Sequence, residues 1–253
     1  MAFDIDVLIV FADKDNEAKK TELGWVSQFK KFLELMLNQV LGDKSKILLK
    51  AEYDSLTAPK LQNVGVLVSV LSKEFIQSGQ CLDVVEAFNK ANQTNDRLHN
   101  RIFKVFKTPL TLQEQPPRLR ELIGYDMYQL DPDSGDIREY TDYFSTDAER
   151  QYWMKMVDLA YDIFDSLVYL KNQGSGSEVR NIAKRKTIYL AETGHDLSVQ
   201  RNIIKRELQR HGYIVLPNQT LPGNFADLEK LVIRDIAESH LSIHLIGSSY
   251  GEI

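Results

Sequence analysis

The sequence predicts an α/β protein built on a doubly wound parallel sheet, followed by a smaller, truncated α/β unit. Three observations predict it. Short runs rich in Val, Ile and Leu alternate with stretches whose apolar residues recur at steps of three and four. The clearest run, Val64–Leu71, is nearly continuous rather than alternating, as expected of a parallel strand covered on both faces. The same grammar restarts after Asn172-Gln173-Gly174-Ser175-Gly176-Ser177-Glu178, a Gly/Ser-rich break with little to bury. We therefore divide the 253 residues into a domain over 1–172, a linker over 173–178 and a partial second domain over 179–253.

In order along the chain, Ile5–Phe11 reads as a buried strand and Ala12–Asn16 as a polar loop. Trp25, Phe29, Phe32, Leu33, Met36, Leu37 and Val40 form the stripe of an amphipathic helix that Gly42-Asp43 ends. Lys46–Leu49 is a candidate second strand and Val64–Leu71 the third. A helix is expected over about Cys81–Asn92, a strand over Arg101–Phe106, turn residues at Thr108-Pro109 and one short strand over Tyr125–Leu130. A helix over about Asp147–Tyr169 places Tyr152, Met156, Leu159, Ala160, Ile163 and Leu167 on one face. Beyond the linker the expectation is strand Thr187–Ala191, helix Ser198–His211, strand Tyr213–Leu216, loop Pro217–Pro222, helix Asn224–Ser239 and strand Leu241–Ile246. Three strands are few for an independent α/β domain, so the expectation is either that this half packs against the first domain or, the favoured reading, that the chain is a fragment of a longer protein.

Composition narrows the function classes. The chain is 43% hydrophobic and 26% charged, with a formal net charge of -5, which argues against a broadly cationic nucleic-acid or membrane-surface binder. No apolar run approaches the ~18 residues of a membrane span, and Met1–Asp6 lacks the basic start of a secretory signal. The single cysteine, Cys81, excludes an internal disulfide and a Cys-based structural zinc site. A cytoplasmic protein with no nucleic-acid or membrane partner is expected.

Ile9-Val10-Phe11-Ala12-Asp13-Lys14-Asp15-Asn16 is similar to the opening motif of prokaryotic Toll/interleukin-1 receptor (TIR) domains, a strand running into a Ser-Tyr-Ala-His-x-Asp-Asn type loop. Gly24-Trp25-Val26 with Phe29, the run Val66–Ser72, Ser78-Gly79-Gln80-Cys81, Arg101–Val105, Lys107-Thr108-Pro109 and Tyr152-Trp153 follow in the same order. The resemblance covers about 1–170. It implies a flavodoxin-like sheet, association with itself or with other TIR-like domains, and in many members cleavage of NAD, often in antiphage defence. The segments Thr187–Glu192 and Gly247–Gly251 look like the start of a second TIR-like domain.

The resemblance also implies a catalytic glutamate three residues after a Trp-Cys pair, a carboxylate suited to stabilising an oxocarbenium-like transition state as nicotinamide leaves. Here Gln80 stands for the Trp and Val84 for the glutamate, and Val10 stands where the family often has Ser. Cys81, Val84, Val85 and Phe88 make one apolar helical stripe, whereas Asp83 and Glu86 share a more polar face, Glu86 about 200° from Val84 around the wheel. The expectation is therefore a signalling protein that acts through regulated self-association with a degenerate NAD-cleaving site. The alternative is an active NAD nucleosidase with Glu86 or Asp83 as its carboxylate, and NAD as substrate rather than resident cofactor. Phe11, Asp13, Asp15, Glu52 and Asp54 are the candidate ligand-contacting residues.

Asp13 and Asp15 follow the first strand, where open α/β sheets bind ligands, and read either as ribose or cation contacts or as solvated acids helping to cap the next helix. Lys50–Pro59 takes the place of the family's mobile loop; Glu52, Tyr53 and Asp54 either gate the cleft and mediate assembly or form a solvated turn. Cys81 lies on the apolar stripe and reads as a small structural hydrophobe. His240 and His244 have i, i+4 spacing, but on a strand and without a third ligand, so no metal site is expected. Arg180 with Lys184-Arg185-Lys186 reads as a charged lead-in to a strand. Gly247–Gly251 lacks the Gly-Lys-Ser/Thr ending of a phosphate loop.

Overall fold

The structure is a computed structural model that describes residues 3–18, 23–52, 58–92, 100–130, 137–139, 148–172 and 186–248. The chain forms two compact units, Met1–Gly174 and Ser175–Ile253. The expected linker, 173–178, lies outside the described residues.

In the first unit, strands β1 (Ile5–Val10), β2 (Ile47–Leu49), β3 (Val64–Leu71), β4 (Ile102–Phe106) and β5 (Gly124–Asp126) form a parallel sheet in the order β2-β1-β3-β4-β5. This order with helices on both faces is the flavodoxin-like doubly wound arrangement. From Val7, Val66 and Phe103 onward, period-two alternation assigns the strand residues to a face, while Ile5 at the start of β1 falls outside that period. Val7, Ile9, Val66, Val68, Val70, Phe103 and Val105 meet helices α1 (Trp25–Leu41) and α5 (Ala148–Asn172). Ile5, Leu8, Val10, Leu67 and Leu71 face α2 (Ala58–Leu61), α3 (Lys73–Gln77) and α4 (Gly79–Ala91). Each large side chain so buried contributes about 1.5–3 kcal/mol, which outweighs the surface ion pairs of the same helices at about 0–1 kcal/mol each.

The two long helices match the apolar stripes that predict them. Trp25, Phe29, Leu33 and Leu37 of α1 pack on the six expected residues of α5, Tyr152 to Leu167. Gly42 ends α1 at φ 68°, a left-handed stop whose N–H reaches the Asn38 carbonyl at 3.0 Å. The single strand expected over Tyr125–Leu130 is instead two. The Met127 N–H makes the last bond to β4, 2.8 Å to the Phe106 carbonyl. Beyond it β4 offers no partner, and the chain leaves as β6 (Tyr128–Leu130), paired antiparallel with β7 (Ile137–Glu139).

In the second unit, β8 (Thr187–Leu190), β9 (Ile214–Leu216) and β10 (Leu241–Ile243) form a parallel sheet in the order β10-β8-β9. The order repeats the β3-β1-β2 portion of the first sheet. Helix α6 (Ser198–Arg210) joins β8 to β9, and α7 (Phe225–Ala237) joins β9 to β10, its N-cap Asn224 accepting the Asp227 N–H at 3.2 Å. The last strand is shorter than expected: it ends at Ile243, where β8 also ends, and Ile246 is 95% exposed. No helix among the described residues is long and apolar enough to cross a membrane.

Candidate functional site

The order of the first sheet puts its crossover point at the C-terminal ends of β1 and β3, because the connections leaving these strands run to opposite faces. Five features meet there: the single turn of 3-10 helix Asp13–Asn16 after β1, the turn Lys50–Glu52 after β2, Ser72 after β3, Lys107 after β4 and the first turn of α4.

The two aspartates that look alike in sequence take different roles. Asp15 is 2% exposed and is not a solvated loop acid. One of its oxygens accepts the Ser72 hydroxyl at 2.6 Å and the other the Lys107 ammonium at 2.9 Å. Ser72 also N-caps α3, accepting the Phe75 N–H at 3.0 Å. Asp15 thus ties together the chain leaving β1, β3 and β4. Asp13 is exposed, and pairs at 3.2 Å with the ammonium of Lys50, whose side chain is only 6% exposed.

Lys50 was not singled out by the sequence, where it is one lysine ending a short apolar run. Its ammonium lies 5.5 Å from the centroid of the buried Phe11 ring and 3.7 Å from the sulfur of Cys81. Cys81 in turn donates its S–H to the Phe11 carbonyl at 3.2 Å. A neighbouring polar feature also escaped the sequence reading. Lys104, across from Ser69 in the β3–β4 register, is buried and donates to the Gln115 amide oxygen at 2.9 Å. Burial pushes its ammonium down to about 8, against an opposing pull from Asp126. The Ser69 hydroxyl is buried with no hydrogen-bond partner among the described residues.

On α4 the apolar stripe is as expected: Cys81, Val84, Val85 and Phe88 are buried, and Ser78 caps the helix. Asp83 and Glu86 are exposed. Glu86 forms an i, i+4 ion pair with Lys90 at 3.0 Å, and that hydrogen bond and charge hold its carboxyl below the usual value. Glu52 points to α1 rather than to Lys50. Partial burial raises its carboxyl, but the Lys30 ammonium at 2.7 Å and the Leu49 N–H at 2.7 Å prevail and lower it. Tyr53 and Asp54 lie outside the described residues. Of the named candidates, the structure brings Phe11 and Asp13 together around Lys50, puts Asp15 in its own buried tie, and leaves Glu52, Asp83 and Glu86 elsewhere on the surface.

In the second unit the equivalent strand end is held by Arg201, which donates to the Leu190 and Ala191 carbonyls at 3.0 and 2.9 Å and pairs with Glu192 at 2.8 Å. The His244 ring lies 5.9 Å from that of Tyr189, and His240 joins the sheet margin through its N–H to the Thr187 carbonyl. Among the described residues no group of three or more His, Cys, Asp or Glu is placed to hold a metal ion. Lys186 is exposed, while Arg180, Lys184, Arg185 and Gly251 lie outside the described residues.

No family model matches this chain, and no curated protein matches it.

Proposed function

We propose that the chain is a cytoplasmic TIR-type signalling protein of the bacterial antiphage kind, which acts by regulated association with itself or with other TIR-like domains, and that its NAD-cleaving site is degenerate. One observation carries the reading. The part of α4 that abuts the end of β1 presents Cys81 and Val84, with the Lys50 ammonium beside the sulfur, where a sugar-cleaving site needs a carboxylate. Departure of nicotinamide builds positive charge on the ribose. Hydrocarbon does not stabilise that charge, and an adjacent cation in a low-dielectric wall opposes it. Glu86 is engaged on the outer face of the helix with Lys90, and Asp83 is exposed.

The test incubates concentrated protein with NAD and follows nicotinamide release, in parallel with light scattering to record assembly. Concentration-dependent assembly with release no faster than in a protein-free control is expected. Turnover that is lost in Glu86→Ala or Asp83→Ala would establish the nucleosidase instead. Absence of assembly at every concentration would remove the association reading.

A further inference from the structure

Lys50 is unusual for a reason independent of any family likeness. A lysine this deeply buried normally meets an equally buried acid, because removing a charge from water is costly. Its ion-pair partner, Asp13, is 82% exposed, and the ammonium leans instead on an aromatic face and on the chain's single cysteine. The Lys50–Cys81 approach of 3.7 Å is between two side chains that are both enclosed by the protein. Lys50 opens the turn that leaves β2, and Cys81 lies in the first turn of α4, 31 positions away.

We propose that Lys50 and Cys81 form a reversible nitrogen–oxygen–sulfur bridge, made by hydrogen peroxide and undone by thiols. Two peroxides are consumed. The first oxidises the thiol to a sulfenic acid and leaves as water. The second oxidises the amine nitrogen as it is joined through the sulfenic oxygen, releasing two more waters. In total the S–H bond, one amine N–H bond and two peroxide O–O bonds break; the S–O and O–N bonds and three waters form. Sulfur and nitrogen each lose two electrons and each peroxide gains two. The amine must be neutral to react, and the proton that the ammonium gives up passes to solvent on the side of Asp13, whose carboxylate at 3.2 Å is 82% exposed. A one-oxygen bridge is shorter than the present separation, and the torsions of the Lys50 side chain supply the difference. Once formed, the bond fastens the segment leaving β2 to α4, a redox latch on the mouth of the crossover crevice.

The experiment treats the full chain with hydrogen peroxide, digests it with trypsin and reads the peptides by tandem mass spectrometry. The expected product is a pair of peptides joined through Lys50 and Cys81, heavier than their sum by about 14 Da for one oxygen gained and two hydrogens lost. Trypsin should no longer cut at Lys50, and dithiothreitol should restore both the cleavage and the separate peptides. Lys50→Arg and Cys81→Ala should lack the product. The five methionines report that peroxide has acted. Their oxidation without a joined peptide overturns the proposal, as does recovery of Cys81 only as sulfenic, sulfinic or sulfonic acid with Lys50 cut normally. Because fragment ions of the wild-type peptide locate the link directly, this holds even if a variant fails to fold.

Discussion

The carboxylate of Asp15 sits between a hydroxyl and an ammonium with almost no access to water. Asp15→Asn keeps the shape and removes the charge, so the enclosed Lys107 loses this ion pair at 2.9 Å; a loss of stability is expected, up to about 3–5 kcal/mol, read by urea denaturation. The double variant Asp15→Asn with Lys107→Met should lose less than the sum of the two single changes, the mark of a direct pair. Lys104 gives a prediction with the opposite flavour. Its folded-state value of about 8 lies below the ordinary 10.5, so between those values the unfolded chain holds more protons and stability rises with pH. The stability of the wild type minus that of Lys104→Met should therefore increase across this window; a flat difference would contradict the assignment. Neither site was legible from the sequence. Asp13 and Asp15 are neighbours in one polar loop, and only the arrival of Ser72 and Lys107 from distant positions makes one of them a buried tie. The register that puts Ser69 of β3 and Gly124 of β5 beside Lys104 is equally non-local.

At the scale of elements, Gly65 shows how closely β3 is packed. A Cβ there would lie 2.6 Å from a Leu167 methyl of α5 and 2.7 Å from the Asp6 carbonyl oxygen of β1. The methyl can shift, but the carbonyl belongs to the sheet. Gly65→Ala should cost about 1–3 kcal/mol, visible as a lowered melting temperature with an unchanged far-ultraviolet circular dichroism spectrum. Elements long enough to show their period were readable in advance: β3 has the expected bounds, and the stripe of α5 appears residue for residue. The five-residue helix α3 is too short to display a period, and depends on the Ser72 cap. The division between β5 and β6 follows from where β4 stops pairing, which no local pattern encodes. At the candidate site, the helical spacing separated Val84 from Glu86 correctly, but nothing in the spacing announced that Lys50 would come to rest against Cys81.

For the whole molecule, the first unit has its own sheet with apolar clusters on both faces, supplied by residues between Ile5 and Leu170. A chain of residues 1–174 should therefore unfold in one cooperative urea transition, with coincident fluorescence and circular dichroism curves; two separated transitions would show that it is not a single folding unit. The second sheet differs in its margins. Among the described residues β9 and β10 each pair on one side only, but β9 is buried throughout, whereas β10 has Leu241 56% exposed. Among the described residues the outer row of amides and carbonyls of β10 is a seam left unsewn. A seam of this sort templates whatever extended peptide arrives first, and at high protein concentration the most abundant such peptide comes from other copies of the same molecule. Turbidity on storage should consequently rise more steeply than in proportion to concentration, and a charge set into that seam by Ser242→Lys should delay its onset.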